Sequence, residues 1–559
     1  MFKIYKFLDS KEKIYFHLLI LISVFMNFFE VFSIGMILPI LDFLINGKES
    51  NLLNNIEKFV PFEINLKSLL IFFISSILLK NIFYLINKYV TVDFSTKITN
   101  KVQIKILKTY LKQNLIFINE NHSSKIAKDI NVEAGVFSGS YVGPVLNSIS
   151  QIIIFLFIII LLSFYNFKVT FYIFTFIFLM ATIIKFFSSK KLKDLGLKRT
   201  NMTGIFYRNI KEAIDFIREI KILNLYGHFT NKAEISLTNL KKVTIRTNMY
   251  SELPRAFLEI SFAIFVVTFI ILLFPSLGNQ IIIQLALYVT CMFRLLPSVN
   301  NLAINYQRIK FSKIVVKKIE DYFKLESDVT IRDDHLHLNN SLKLQDLTFN
   351  YSKDNIFENL NYTIKKGDKI GLVGKSGEGK TTLINLIMGF LEPQKGNVLI
   401  DDKRINEFEQ STLLKLFSYV PQHVAILDDT LYNNITLYDS YREFDKNDLD
   451  LAIESAQLSD VLKKINSKKI KTLGDNGSRI SFGERQRIGL ARAFYKKAPI
   501  IVLDEATSYL DKKTEESFLD ALDHNLDNKT LIFISHKKES LRVCEKIIEI
   551  KNKKIEVIK

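Results

Sequence analysis

Eight consecutive residues, Gly374, Lys375, Ser376, Gly377, Glu378, Gly379, Lys380 and Thr381, have the types and spacing to hold a phosphate chain. They match G-x-x-x-x-G-K-[ST], and Thr382 begins the apolar run that follows. Glycines permit the tight turns that aim successive backbone N–H groups at phosphate oxygens, and a helix N-terminus adds positive potential. Lys380 can reach the β- and γ-phosphates of a nucleotide, and the Thr381 hydroxyl can coordinate Mg2+. Downstream, Pro499-Ile-Ile-Val-Leu-Asp504-Glu505 is a buried-strand run ending in two acids. At the carboxyl end of a parallel strand, Asp504 can hold Mg2+ directly or through water, while Glu505 can polarise an attacking water as general base. These parts point to nucleotide binding and to phosphoryl chemistry.

The loop needs a strand before it and a helix after it. Lys369-Ile-Gly-Leu-Val373 predicts the strand, and the run from Thr382 to Met388 predicts the helix. From about Leu342 the composition shifts to short strands, glycines and mixed charge, which is the character of an α/β domain. Within it, Leu347-Thr-Phe-Asn-Tyr351 alternates as a strand does and ends in an aromatic ring able to stack on a base.

Everything ahead of residue 310 has a different character. The 559-residue chain is 48% hydrophobic with 47 Phe, and the apolar residues concentrate in that first part. Six long apolar segments stand out, at about 14–45, 68–94, 137–165, 168–189, 253–274 and 281–305. Each approaches or exceeds the roughly 20 residues a helix needs to cross a bilayer core. No cleavable leader is expected, because the first apolar stretch is too long. Lysine and arginine fill the N-terminus, the segment from Lys97 to Lys128 and the segment from Lys185 to Arg246, whereas the alternate loops carry little charge. This pattern places both ends in the cytoplasm. The net charge of +18 is therefore mostly topology, and no nucleic-acid partner is expected. Cys291 and Cys544 form no metal or disulfide pattern.

Charges inside the spans are costly. Glu30 lies in the first, Arg255 and Glu259 open the fifth, and Arg294 sits in the sixth within Cys291-Met-Phe-Arg-Leu-Leu-Pro297. One reading pairs these acids with the arginines for packing. The other is a polar cavity for an anionic substrate, with Arg294 the favoured contact because Pro297 loosens the helix there.

Between and after the phosphate loop and the paired acids come Tyr419-Val-Pro-Gln422, Ile480-Ser-Phe-Gly-Glu-Arg-Gln-Arg487, Ser508-Tyr-Leu-Asp511 and Leu531-Ile-Phe-Ile-Ser-His536. In this order they resemble the ATPase domain of ABC transporters. The resemblance implies that Tyr351 stacks on adenine, that Gln422 links Mg2+ and the water to the membrane domain, and that His536 contacts the γ-phosphate. It also implies that Asp511 lies in a loop communicating between two such domains. The family's L-S-G-G-Q signature reads Ile480-Ser481-Phe482-Gly483-Glu484 here. Ser481 and Gly483 keep the positions expected to meet a nucleotide bound on the partner subunit, while Phe482 and Glu484 depart.

The resulting expectation is a type IV exporter-like half-transporter. It has a membrane α-helical domain of six transmembrane helices at 1–310, a linker at 311–341 and an α/β P-loop ATPase domain at 342–559. It would bind ATP and Mg2+ and pair with a second half-transporter, most simply an identical chain in a homodimer. Helices around Phe117–Asn121 and Phe206–Lys221 would couple the ATPase to the spans. The membrane half is similar to lipid-linked oligosaccharide flippases of the PglK type at Phe29-Glu30-Val31, Leu38-Pro39, Leu253-Pro-Arg255 with Glu259, and Arg294 to Ser298. That likeness implies a polyprenyl-pyrophosphate-linked glycan flipped across a bacterial inner membrane, with Arg255 and Arg294 as its phosphate contacts. The flippase carries a further arginine where Asn301 stands here. Export of another amphiphile (lipid, peptide or drug) is the competing reading, and a membrane-tethered regulatory ATPase without transport is a third.

Overall fold

The computed structural model describes residues 2–46, 65–121, 123–273, 281–324, 336–351, 354–437, 445–467, 471–508, 510–526 and 528–559. It divides into two compact units, one holding Met1–Gln113 and Phe117–Ser327, the other Asp328–Lys559 together with Asn114–Ile116. The division falls inside the stretch expected as a linker, whose first part folds as the helix Lys313–Lys324.

The first unit is helical throughout its described residues. Its long helices are Ser10–Gly35 continued by Ile37–Asn46, then Leu66–Leu111, Gly143–Tyr165, Phe167–Asp215, Tyr226–Leu273 and Ile281–Phe311. Each coincides with one of the six apolar segments, and several continue well past it. Among the described residues, three stretches are long and apolar enough to cross a membrane: Ser10–Leu44, Leu66–Leu111 and Ser123–Tyr165. One face of Leu66–Leu111 exposes Ile71, Ile74, Leu78, Ile82 and Leu85, each more than half accessible. That three-and-four spacing makes a single apolar stripe turned outward, which water would penalise and lipid accommodates. Inward, Ile154, Ile158, Leu162, Ile173, Leu287, Cys291 and Leu295 form a buried core between helices. The helix containing Arg294 runs unbroken through Pro297, where Ser298 Oγ donates to the Arg294 carbonyl at 3.3 Å.

The helix Lys313–Lys324 is fixed to this unit by charge. Fully buried Asp129 accepts from Lys318 Nζ at 2.5 Å and from the Tyr322 hydroxyl at 2.6 Å. Four residues on, Glu133 accepts from Arg199 at 2.7 Å and has Lys128 at 3.2 Å. Both acids lie in a π-helical turn, Asp129–Glu133. A π turn shifts side-chain register, which here brings both carboxylates inward.

The second unit is built on a six-stranded sheet ordered β10-β9-β3-β8-β7-β6, where β3 is Lys369–Val373, β6 Phe417–Val420, β7 Ile500–Asp504, β8 Thr530–Ile534, β9 Lys546–Lys551 and β10 Lys554–Val557. Its central strands are parallel, and β7 and β8 are buried at every position. Such strands need cover on both faces. Ile501, Leu503, Leu531 and Phe533 join one core, while Ile500, Val502, Ile532 and Ile534 join the other. The second core is closed by an antiparallel sheet ordered β2-β1-β4-β5, with β1 Ser341–Asn350, β2 Asn355–Lys365, β4 Lys395–Ile400 and β5 Lys403–Arg404.

Candidate functional site

Parallel register decides where the chemistry gathers. Leu372 of β3 and Asp504 of β7 both lie opposite Ile534 of β8, and Val420 of β6 lies opposite Leu503. The carboxyl ends of four neighbouring strands are therefore level. The phosphate loop leaves β3 there, Gln422 follows β6, Asp504 and Glu505 end β7, and His536 follows β8. This is the edge at which open parallel sheets bind ligands.

The loop takes a form that its glycines require. Gly374, Gly377 and Gly379 have φ of 154°, 86° and 99°, in the region that disfavours side chains. A Cβ on Gly379 would stand 2.6 Å from Ile356 and 2.9 Å from Phe357, so the backbone passes too close for any other residue. Gly379 then caps the helix Lys380–Ile387. Lys380 is 7% exposed and curls over the loop, donating to the Gly374 and Lys375 carbonyls at 2.8 and 2.9 Å. Burial pushes its ammonium below the usual lysine range, against the pull of nearby Glu505, Glu378 and Asp504. Glu378 accepts from the Lys375 N–H at 2.6 Å. Lys375, Ser376 and Gly377 are exposed, whereas Thr382 is buried in the helix core.

Asp504 and Thr381 are brought together at 3.3 Å, and Tyr419 donates to the same Asp504 oxygen at 3.2 Å. Burial raises the Asp504 carboxyl, while the Tyr419 and Thr381 hydrogen bonds oppose the rise. A desolvated carboxylate beside a hydroxyl is a hard-oxygen donor pair suited to Mg2+, which binds through few protein ligands and completes its shell with phosphate and water. The residues present fit that ion.

Glu505 is held at both oxygens, by Gln422 Nε2 at 2.7 Å and by His536 Nε2 at 3.0 Å. Its backbone adopts φ 52°, unusual for a residue with a side chain, and its N–H donates to the Ile534 carbonyl at 3.0 Å. The turn points Glu505 to a place different from that of Asp504. Gln422, expected as a metal ligand as well, gives its amide Nε2 to Glu505, and its Oε1 is the atom that would take the metal.

The remaining residues stand apart from this cluster. Ser481 caps the helix Phe482–Lys496, and no hydrogen bond among the described residues joins Ser481 or Gly483 to the phosphate loop. Glu484, the departure in the signature, has a local cause: its carboxylate accepts from the Ser481 N–H at 2.6 Å while Ser481 Oγ accepts from the Glu484 N–H at 3.2 Å. This reciprocal cap is reinforced by Lys464 at 3.0 Å. Burial raises the Glu484 carboxyl, but the Ser481 N–H and Lys464 outweigh it and hold it below the usual range. Phe482 meets the His423 ring edge-on at 5.8 Å between centroids. Asp511 caps the helix Lys512–His524 through Thr514. Tyr351 is 57% exposed and stands edge-on to Phe349.

Sequence reasoning gave no role to Tyr419 or to Gln486, whose amide donates to the Gln422 carbonyl at 2.5 Å. Tyr419 was visible beside Val-Pro-Gln422. Gln486 offered no signal beyond its place in the signature helix.

The membrane unit contains a cavity of about 610 Å3. Among its described lining residues are four cations, Lys80, Lys88, Arg294 and Arg308, and one carboxylate, Glu30. Arg294 grips Glu30 bidentately with one edge of its guanidinium, Nε to Oε1 at 2.5 Å and Nη2 to Oε2 at 3.0 Å, and Lys80 adds a contact at 3.4 Å. Asn305, 3% exposed, also lines the cavity, and among the described residues its Nδ2 donor has no partner. Arg294 is thus in the polar cavity as expected, and it is paired as the packing reading required. Arg255 is not there. It is exposed, bonds Glu259 one turn on at 2.9 Å, and does not line the cavity. Lys80 and Lys88 were missed, although a lysine within an apolar segment is itself a signal.

A nucleotide site at the carboxyl edge of a parallel sheet, carried on the same chain as a helical membrane unit, defines a membrane-bound P-loop protein. Two family models specify it further: "ABC transporter transmembrane region" matches residues 15–296 and "ABC transporter" matches 357–508. The chain belongs to the ABC transporter family. Among its relatives are the iron-sulfur clusters transporter ATM1, mitochondrial, of Kluyveromyces lactis, 35% identical over 46% of this chain and 37% of that one, and an ATP-dependent lipid A-core flippase of Methylobacillus flagellatus, 30% identical over 64% and 61%. The lipid A-core flippase of Ralstonia nicotianae is 24% identical over 82% of this chain and 79% of its own. The first two matches thus span less than two thirds of the relatives' lengths. A solved structure of a bacterial Atm1-family ABC exporter with ATP bound shares the fold, with TM-score 0.82 at 18% identity, over 98% of this chain and 95% of that one.

Proposed function

We propose that this chain is one half of an ATP-driven exporter that flips an amphiphile with an anionic head group, most specifically a polyprenyl-pyrophosphate-linked glycan, out of the cytoplasmic leaflet of a bacterial inner membrane. The observation that carries this reading is the membrane cavity, whose described lining has four cations to one carboxylate. A diphosphate needs several fixed donors, and guanidinium matches it bidentately. Both ends and the ATPase domain lie in the cytoplasm, as the lysine distribution predicts.

Two identical chains pair. Tyr351 stacks on adenine, and the phosphate loop with Lys380 binds the phosphates. Thr381, Asp504 and Gln422 would hold Mg2+, which would neutralise charge on the transferring phosphate. Glu505, oriented by Gln422 and His536, takes the proton of the attacking water. Ser481 and Gly483 of the second copy close over the γ-phosphate, and Asp511 communicates between the copies. The segments Phe117–Asn121 and Phe206–Lys221 transmit that closure to the spans; in the second, Ile214, Phe216 and Ile217 are exposed.

A second reading, a phosphorylated saccharolipid as cargo, is favoured by the relatives named as lipid A-core flippases. ATP turnover in nanodiscs separates the two. A polyprenyl-diphosphate disaccharide is expected to stimulate turnover while the neutral polyprenol does not. Arg294→Ala is expected to raise its half-stimulating concentration about tenfold, the scale of a charge-assisted hydrogen bond. Stimulation by lipid A alone selects the second reading, and an unchanged Arg294→Ala response removes Arg294 from the site.

A further inference from the structure

We propose that Glu30 is an internal competitor for the cargo's anion: it occupies Arg294 and Lys80 between transport events, weakens the hold on the head group and so speeds its release. The inference rests on the anionic-cargo reading above and concerns what sets affinity at that same cavity.

The geometry shows a charge pair already complete. The Nε and Nη2 donors of Arg294, which form the edge best matched to two oxygens, both go to Glu30. Nη1 is 3.4 Å from Ser298 Oγ. An incoming phosphate therefore reaches that edge only by displacing the carboxylate. Glu30 is well chosen for this. Its side chain is 9% exposed and that of Arg294 26%, so the pair sits at the cavity wall, neither sealed in the core nor open to water. At such a depth an unpaired guanidinium is costly, and a carboxylate that swings back as the phosphate leaves removes that cost.

The cavity also separates capture from grip. Lys88 and Arg308 line it, and among the described residues neither makes an ion pair. They can meet a phosphate before Glu30 yields. With Glu30 counted, the charged lining sums to +3, from four cations and one acid, which still favours a polyanion over the single internal carboxylate. The exchange moves no covalent bond and needs no proton. It replaces one anion on Arg294 by another.

A packing role and a competitor role predict opposite signs. If Glu30 only braces two helices, removing its charge loosens Arg294 and weakens anion binding. If Glu30 competes, removing its charge strengthens anion binding and slows release. The test uses the full-length protein in nanodiscs, with farnesyl diphosphate as probe, farnesol as the neutral control, and steady-state ATP turnover as readout. Glu30→Gln, which keeps size and hydrogen bonding, is expected to lower the half-stimulating concentration of farnesyl diphosphate about tenfold. Maximal turnover is expected to fall as release becomes limiting, and the farnesol response to stay unchanged. A half-stimulating concentration that stays the same or rises overturns the proposal while leaving anionic cargo intact, provided the wild type responds. If farnesyl diphosphate stimulates neither chain, the anionic-cargo reading falls and the competitor falls with it. Should Glu30→Gln fail to fold, Glu30→Asp keeps the charge but shortens its reach to Arg294, and the same direction of change is required of it.

Discussion

Glu505→Gln is expected to lower ATP turnover by about two to four orders of magnitude, the scale of a lost general base, with nucleotide affinity kept within a few-fold. Glutamine preserves the shape of the side chain, so the clasp formed by Gln422 and His536 can persist at 2.7 and 3.0 Å. What disappears is the proton acceptor. The phosphate loop, Lys380 and the Thr381–Asp504 pair are untouched, which is why binding survives. Steady-state phosphate release together with titration of a fluorescent ATP analogue checks both halves. Turnover above about a tenth of wild type would assign the base to another residue.

The second large effect concerns the partner. Lys380→Ala removes the ammonium that lies over the loop, and Ser481→Arg places a long cation where the proposed second copy would approach. Each alone is expected to bring turnover near background. Co-expressed with different affinity tags and purified as the mixed pair, they are expected to recover a substantial fraction of one site's activity. One site of the pair carries both lesions and the other carries neither. Recovery follows only if Ser481 serves the phosphate loop of the other copy, in keeping with the observation that, among the described residues, the Ser481 hydroxyl bonds only to the Glu484 N–H of its own helix cap. A mixed pair as inactive as its parents would place Ser481 in a different role.

Legibility followed distance along the chain. The phosphate loop, its strand and its helix are local, and Gly379 could be read directly because only glycine fits a left-handed backbone beside Phe357. Asp504 and Glu505 became legible through the phosphate loop upstream, since two acids after an apolar strand are otherwise often only a solvated turn. The six long helices were directly legible as well. Long-range pairings were not legible. Glu30 and Arg294 are separated by 264 positions, and the sequence offered Arg255 as a second candidate until Glu259, one helical turn away, proved to be its partner. Glu484 looked like a defect in the signature, because the lysine that pairs with it, Lys464, lies 20 residues upstream on a separate helix. The Gln422–Glu505 bond joins the ends of two adjacent strands far apart in sequence, and only the sheet order reveals it.

The central claim is that hydrolysis at this site moves a charged amphiphile across the bilayer. The most direct measurement is translocation in sealed proteoliposomes, using a fluorescent polyprenyl-diphosphate disaccharide in the leaflet facing the ATPase domains and a membrane-impermeant quencher on the far side. ATP-dependent quenching is expected for the wild type and none for Glu505→Gln at equal protein incorporation. Full ATP turnover with no appearance of the lipid in the far leaflet, for this lipid and for lipid A alike, would contradict the claim.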